Sequence, residues 1–155
     1  MPIADDALNV EVLFEDSILV VAGPNNKWHR RRKIDPAELV GEPWILPGYD
    51  TSVLGSIVRD AFRAKGLDVP QQTVTTSAVQ LYTALAAMDH FLAIRLASNV
   101  RLSGKRLSVK ALSVQLPMRP VSIGIVTLKD RTISPAAHLF IECARKIGTA
   151  FARGR

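Results

Sequence analysis

The sequence contains very little cysteine, which limits the chemistry open to it. Cys143 is the only cysteine among 155 residues, so an internal disulfide and any metal site built from several cysteines are excluded. Its neighbours Phe140, Ile141 and Ile147 are apolar, and free cysteine packs like a small hydrophobic residue. We therefore predict that Cys143 lies at a buried position of a helix.

Long apolar runs are also missing. No stretch approaches the about 20 apolar residues that cross a membrane. Residues 1–16 carry several acids, whereas a secretory signal starts with basic residues followed by an apolar stretch. These features predict a cytoplasmic protein with no membrane partner.

The motifs of common enzyme classes are absent as well. The chain has no Gly-x-Ser-x-Gly elbow, no phosphate-binding loop and no Gly-x-Gly-x-x-Gly. His29, His90 and His138 are far apart and lack metal-ligand spacing with acids. We predict no catalytic residue, no metal and no cofactor, and a small enzyme of unknown reaction stays open as an alternative.

Positive charge is present in excess but is concentrated in one place. The formal net charge is +6, and one short stretch supplies much of it: Lys27, Arg30, Arg31, Arg32 and Lys33. Such a cluster suits either a solvated surface loop or a phosphate-binding surface. A basic nucleic-acid-binding module that uses Lys27–Lys33 is therefore a second alternative.

Apolar patterning predicts strands and helices that alternate, which indicates the α/β class. Strands are expected over 10–14, 18–22, 44–46, 69–75, 91–94, 107–111 and 121–128. Helices are expected from about 51 to Gly66, over 77–88 and from Pro135 to about 150, with a short turn over 36–39. Ser77 and Gln80 have capping-box spacing. Val79 and Phe140 are expected on the core faces of their helices, together with Tyr82 and Ile141.

Several segments resemble, in the correct order, LysR-type transcriptional regulators. The matching segments are Val12–Ala22, Trp28-His29-Arg30, Pro36–Leu39, Glu42–Leu46, Leu85–Leu96, and Val121–Leu128 with the following Lys129–Ala137. Three departures stand out: Arg30 replaces a usual proline, Asp89-His90-Phe91 replaces Gly-x-Gly, and Leu96 replaces a common proline.

This resemblance implies an effector-binding domain like the type II periplasmic binding proteins, with two lobes and an incomplete first lobe. Residues 1–23 and 121–155 would form the partial first lobe, and residues 24–120 the second. The chain would sense a small-molecule effector in an interlobe cleft and thereby control transcription. Its parent would be a homo-oligomer that contacts DNA only through a winged-helix domain absent from this chain.

Two loops between a strand and a helix suggest where such an effector binds. Unpaired N–H groups and hydroxyls at a helix N-terminus attract anions, so a small organic acid is expected. The candidate residues of the loops are Tyr49, Asp50, Thr51, Ser52, Thr76 and Ser77. His90 and Phe91 are expected to close the rim, and Arg95 to supply a charge partner.

Overall fold

The computed structural model describes residues 6–48, 51–71, 73–103 and 108–153. The chain divides into two compact units. The sheet unit is Ser17–Arg119, and the ribbon unit joins Met1–Asp16 to Pro120–Arg155. Strands and helices are mixed in both, and the fold class is α/β as predicted.

A five-stranded mixed sheet forms the centre of the sheet unit, in the order β4-β3-β5-β2-β6. The strands are β2 (Ile18–Ala22), β3 (Trp44–Leu46), β4 (Thr73–Thr75), β5 (Leu92–Leu96) and β6 (Lys110–Ala111). β3 is parallel to both β4 and β5, whereas β2 is antiparallel to β5 and β6. The carboxyl ends of β3, β4 and β5 therefore lie at one edge of the sheet.

Three helices accompany this sheet: α1 (Val53–Arg63), α2 (Val79–Ala86) and α3 (Ala97–Ser103). α1 buries the predicted apolar stripe, including Ile57 and Phe62, and Phe62 meets the Trp44 ring edge-on at 5.8 Å. Short 3-10 helices span Lys27–Arg30 and Pro36–Leu39. The predicted turn over Pro36–Leu39 is confirmed, with Asp35 forming its capping box.

Some predicted elements differ from the structure. The strand expected over 69–75 is limited to Thr73–Thr75, because Pro70 has no N–H to donate to a sheet. The expected strand over 107–111 is reduced to Lys110–Ala111, and Leu107 lies outside the described residues. α3 was not predicted. Val79 is 68% exposed rather than on the core face of α2.

The ribbon unit consists of two antiparallel strands and one long helix. β1 (Leu8–Asp16) pairs with β7 (Val121–Leu128), and α4 (Pro135–Arg153) packs on β1. The pairing register shifts between Val12 and Phe14, so Leu13 is an extra residue in β1 and forms a β-bulge. Phe14 stacks on Phe151 of α4 at 5.2 Å.

α4 is apolar on two faces, and this overturns two predictions about it. Its inner face is formed by Ala137, Ile141, Ala144, Gly148 and Phe151. Ile141 is 8% exposed, but Phe140 is 72% exposed, and Cys143 is exposed as well. The prediction of a buried Cys143 is wrong because its apolar neighbours Phe140 and Ile147 belong to the outer face.

The division between the units falls earlier than the predicted break at Gly23. β2 pairs with β5 and β6, so this strand belongs to the sheet unit, and the division lies between Asp16 and Ser17. The assignment of these units to lobes of an effector domain stays a prediction.

Candidate functional site

A pocket of about 230 Å³ opens at the carboxyl ends of the three parallel strands. Ligands in α/β sheets bind at this edge because loops and helix N-termini converge there. The apolar part of its wall is formed by Pro47, Leu54, Val79, Ile94 and Leu96. The polar part is formed by Thr76, Ser77, Tyr82, Arg95 and Asn99. The lining thus combines a hydrophobic wall with a few hydrogen-bonding groups, as small-molecule sites do.

Arg95 is the charged group of this pocket. Its guanidinium lies over the Tyr82 ring, 4.7 Å from the ring centroid, and Nη2 donates to Thr83 Oγ1 at 2.9 Å. Arg95 Nε is buried and has no hydrogen-bond partner. No carboxylate occurs among the lining residues that the structure describes. The pocket therefore presents a positive charge that an anion could neutralise.

A hydrogen-bonded chain fixes the position of this guanidinium. Thr83 Oγ1 accepts from Arg95 and donates to the carbonyl of Val79 at 2.8 Å. Val79 is the first residue of α2, so the cation is tied to the helix end that lines the same pocket. Cation–π stacking on Tyr82 adds a second restraint.

The Tyr82 side chain links α2 to β5 at the point where β5 is no longer paired with β3. β3 pairs with β5 only as far as Ala93. Beyond it, the Tyr82 hydroxyl donates to the Ile94 carbonyl at 2.8 Å and accepts from the Ile94 N–H at 3.1 Å. The Tyr82 hydroxyl thereby makes the two hydrogen bonds with Ile94 that a residue of a neighbouring strand would otherwise make. Burial raises the pKa of Tyr82, and the Ile94 hydrogen bond and the Arg95 charge offset this only in part.

The N-terminus of α2 has no side-chain cap. The N-cap residue is Ala78, and Thr76 Oγ1 accepts from the Ala78 N–H at 3.1 Å. The predicted capping box of Ser77 and Gln80 is wrong, because the helix begins one residue too late for that spacing. Ser77 is exposed and lines the pocket, beside first-turn N–H groups that α2 itself leaves unbonded.

The predicted binding loop that contains Thr51 and Ser52 contributes to the pocket differently from the loop that contains Thr76 and Ser77. Ser52 caps α1: its Oγ accepts from Gly55 N at 2.9 Å and donates to Gly48 O at 3.1 Å. The Thr51 N–H also donates to Gly48 O, at 3.4 Å. Ser52 therefore holds the loop after β3 rather than lining the pocket, where Pro47 and Leu54 lie. Tyr49 and Asp50 lie outside the described residues.

His90 and Phe91 are not brought to this pocket. They precede β5, whereas the pocket lies at its carboxyl end, beside Leu96. Phe91 packs against the core cluster that contains Val21 and Ala93, and His90 is exposed. The adjacent Asp89 accepts a hydrogen bond from the Asn25 N–H at 2.8 Å, which ties this turn to another loop.

The sequence predicts Thr76, Ser77 and Arg95 as ligand-binding residues, and all three line the pocket; Tyr82 and Asn99 line it as well and are not predicted there. Tyr82 was assigned to the core face of α2, and Asn99 belongs to the unpredicted α3. The signal that located Thr76 was a polar run directly after a strand. The run Ser98-Asn99 follows β5 closely in the same way and would have located Asn99.

The basic stretch is partly neutralised within the sheet unit. Lys27 Nζ lies 2.6 Å from Glu42 Oε1, and Arg31 Nη2 lies 3.1 Å from Glu38 Oε1. Trp28, between these residues, is buried. Part of the positive charge is therefore paired with local acids.

Among the residues that the structure describes, no cluster of three or more histidine, cysteine, aspartate or glutamate side chains suits a metal ion. Within the same residues, none of the helices combines the length and apolarity that a membrane span needs.

Comparison with known proteins gives one family. A family model described as the LysR substrate binding domain matches residues 1–148. Among curated protein sequences, no significant match was found.

Solved structures share the fold at low sequence identity. The effector binding domain of QuiR in complex with shikimate is 21% identical, with a TM-score of 0.67 over 97% of this chain and 69% of that chain. The regulatory domain of Synechocystis PCC6803 CcmR in complex with 2-PG is 13% identical, with a TM-score of 0.71 over 96% and 70%. The effector binding domain of BenM with benzoate is 19% identical, with a TM-score of 0.67 over 97% and 67%.

Proposed function

This chain belongs to the family of LysR substrate-binding domains, and we propose that it senses a small organic anion in the pocket at the carboxyl ends of β3, β4 and β5. The family consists of ligand-sensing domains of transcriptional regulators rather than enzymes. The effector binds and dissociates unchanged, and its occupancy controls transcription.

One observation carries the choice of an anion: Arg95 places a cation in a pocket whose described lining contains no acid. An incoming carboxylate gains a charge-assisted hydrogen bond without displacing a protein carboxylate. The first-turn N–H groups of α2 and the hydroxyls of Thr76 and Ser77 supply further donors. The complexes of QuiR with shikimate and BenM with benzoate contain carboxylic acids, which supports this chemical class.

The volume and the other lining residues of the pocket limit the size and the polarity of the uncharged part of the ligand. A volume of about 230 Å³ lies below the about 300 Å³ at which sites for drug-sized molecules begin. Leu54, Val79 and Leu96 offer apolar surface, and Asn99 offers an amide that can pair with a hydroxyl or carbonyl. A compact ring or short apolar chain that carries one carboxylate matches this lining.

The test compares acids with their neutral amides. Titration calorimetry measures binding of benzoate, cyclohexanecarboxylate and shikimate, and then of the corresponding carboxamides. A charge-assisted hydrogen bond contributes about 1.5–3 kcal/mol, so each acid that binds should be preferred over its amide by about ten- to a hundredfold.

Variants assign this preference to Arg95. Arg95→Gln should remove most of the preference for the acid, whereas Arg131→Gln, which removes the same charge from an exposed turn of the ribbon unit, should leave it intact. Equal binding of acid and amide by the unaltered chain would refute the anion site. An unchanged preference in Arg95→Gln would refute the role of Arg95.

Assembly and location form part of the same proposal. A regulator acts where its DNA is, so we place the protein in the cytoplasm. Self-association of the chain is expected, as symmetric homo-oligomers are the commonest assemblies of soluble proteins.

A further inference from the structure

The backbone N–H groups of β5 point alternately towards β3 and towards β2, as they do in any strand with a neighbour on each side. The Leu92 N–H points towards β3 and donates to Pro43 O at 2.9 Å. The Ala97 N–H, just beyond the strand, points the other way and donates to Ser17 O at 2.8 Å. The alternation between these two residues directs the Leu96 N–H towards the side on which β3 lies.

On that side the Leu96 N–H has lost the acceptor that β3 would supply. β3 ends at Leu46, and a parallel ladder continued in the same register would offer the carbonyl of Pro47. The backbone hydrogen bonds of the described residues include Leu92 with Pro43 but not Leu96 with Pro47. Because Pro47 and Leu96 both line the pocket, this donor lies at the pocket wall.

The guanidinium of Arg95 is held near the same edge of β5. The Tyr82 hydroxyl bonds both the N–H and the carbonyl of Ile94, which places the Tyr82 ring on the β3 side of the strand. The guanidinium lies over that ring, 4.7 Å from its centroid. Leu96 follows Ile94 on this edge by two residues, a distance of about 7 Å at about 3.3 Å per residue. One small ligand can therefore contact both the guanidinium and the Leu96 N–H.

We propose that the main-chain N–H of Leu96 donates a hydrogen bond to the carboxylate that Arg95 binds, so that each group holds one of its two oxygens. This inference rests on the proposed function, from which it takes the anion, and adds a backbone contact to it. A carboxylate accepts about four hydrogen bonds, so the two contacts leave acceptor sites for Thr76 and Ser77. The N–H is fixed in a strand and loses no side-chain entropy when the ligand binds.

The residue type at position 96 decides whether this donor exists. LysR-type regulators commonly have proline at this place, and proline has no N–H. Leucine therefore adds a donor that most pockets of this kind lack. Proline should fit the backbone of this chain as well, because the preceding Arg95 is extended in β5. The N–H that proline removes has no partner among the described backbone groups.

The first experiment compares Leu96→Pro, which removes the N–H, with Leu96→Val, which keeps the N–H and has a side chain with as many carbon atoms. Titration calorimetry of the full chain measures binding of benzoate, cyclohexanecarboxylate and shikimate, and of the corresponding carboxamides. Each acid that binds should have a dissociation constant about tenfold or more higher with Leu96→Pro than with Leu96→Val, since a hydrogen bond to a charged group is lost. The amides should lose less, because their acceptor is uncharged.

The outcomes separate this inference from the proposed function. Equal affinities of Leu96→Pro and Leu96→Val for an acid that the unaltered chain prefers over its amide would overturn the role of Leu96 and leave the anion site in place. An unaltered chain without that preference would overturn both.

Amide NMR observes the donor directly. In a chain that carries isotope-labelled leucine, the signal that is missing from Leu96→Val belongs to Leu96. Addition of the acid should move its proton resonance downfield and slow its exchange with water. Leu54 lines the same pocket and reports binding independently. A Leu96 signal that stays unchanged while the Leu54 signal responds would overturn the inference.

Discussion

Tyr82→Phe tests how the pocket is held together where β3 and β5 separate. The substitution keeps the ring beneath Arg95 and removes only the hydroxyl that bonds Ile94 O at 2.8 Å and Ile94 N at 3.1 Å. Ile94 is 3% exposed, so water cannot readily replace the lost partner. At about 0.5–1.5 kcal/mol for each bond, the free energy of unfolding should fall by about 1–3 kcal/mol.

Urea denaturation measures this loss. Trp28 and Trp44 are the only tryptophans, and both are buried in the sheet unit, so their fluorescence follows the unit that contains Tyr82. The midpoint should decrease while the slope with urea stays the same. Ser56→Ala is the control: its hydroxyl bonds the exposed Val53 carbonyl, and its loss should change stability by less than about 0.5 kcal/mol.

Alkaline pH provides an independent measurement. Burial raises the pKa of Tyr82 above its ordinary value of 10.0, so the folded state holds this proton more tightly than the unfolded state does. The resulting stability is complete below the unfolded pKa and is lost as pH rises through the folded pKa. Tyr82→Phe should therefore lose less stability above pH 10.0 than the unaltered chain. Equal midpoints at neutral pH and parallel losses at alkaline pH would refute this account of Tyr82.

Two further substitutions test each unit separately. Gly55→Ala should lower the free energy of unfolding by about 1–3 kcal/mol, measured by urea denaturation followed by tryptophan fluorescence, because the added methyl group would clash with the backbone carbonyls of Gly48 and Pro47. A gain in stability, as helix propensity alone predicts, would contradict it. Arg145 holds the pKa of Glu11 below its ordinary value of 4.5, chiefly through their side-chain hydrogen bond. The stability from this pair is thus present above the unfolded pKa and lost as pH falls through the folded pKa. Glu11→Gln should therefore weaken the ribbon unit at pH 6 and have a smaller effect as pH falls, as followed by circular dichroism of α4. A difference that does not shrink with falling pH, or that is insensitive to salt, would contradict the ion pair.

The strands were predictable where the sequence is apolar and bounded by turns. Ile18–Ala22, Trp44–Leu46 and Val121–Leu128 were predicted with the bounds that the structure has. Each is a mostly apolar run of strand-forming residues, which local patterning identifies directly.

α4 shows where local patterning is insufficient. Ile141 and Phe140 are adjacent in sequence and both apolar, yet one is buried and the other is exposed. Two apolar faces on one helix give no single direction for the core, so the buried side is decided by tertiary contacts such as Phe14 with Phe151. The location of Cys143 followed from that choice and could not be derived from the sequence.

The pocket was predictable only in part, because strand direction was not available from local signals. Thr76 and Ser77 were found because polar residues after a strand lie at its carboxyl end. His90 and Phe91 also lie beside β5, but at its amino end. The role of Tyr82 depends on where β3 stops pairing with β5, which is a property of the assembled sheet.

The bulge in β1 has a consequence for sequence alignment. Val12 lies opposite Gly124 and Phe14 opposite Ile123, so Leu13 is accommodated without changing the partners on either side. Removal of Leu13 would give a continuous ladder with the same cross-strand pairs, but it would also remove a side chain that lies against Gly148 of α4. A difference of one residue in length is therefore expected among relatives inside this strand, where alignment methods usually penalise gaps most heavily. An alignment that forbids a gap here would shift half of the strand by one position, and it would assign its inward-facing residues to the outer face.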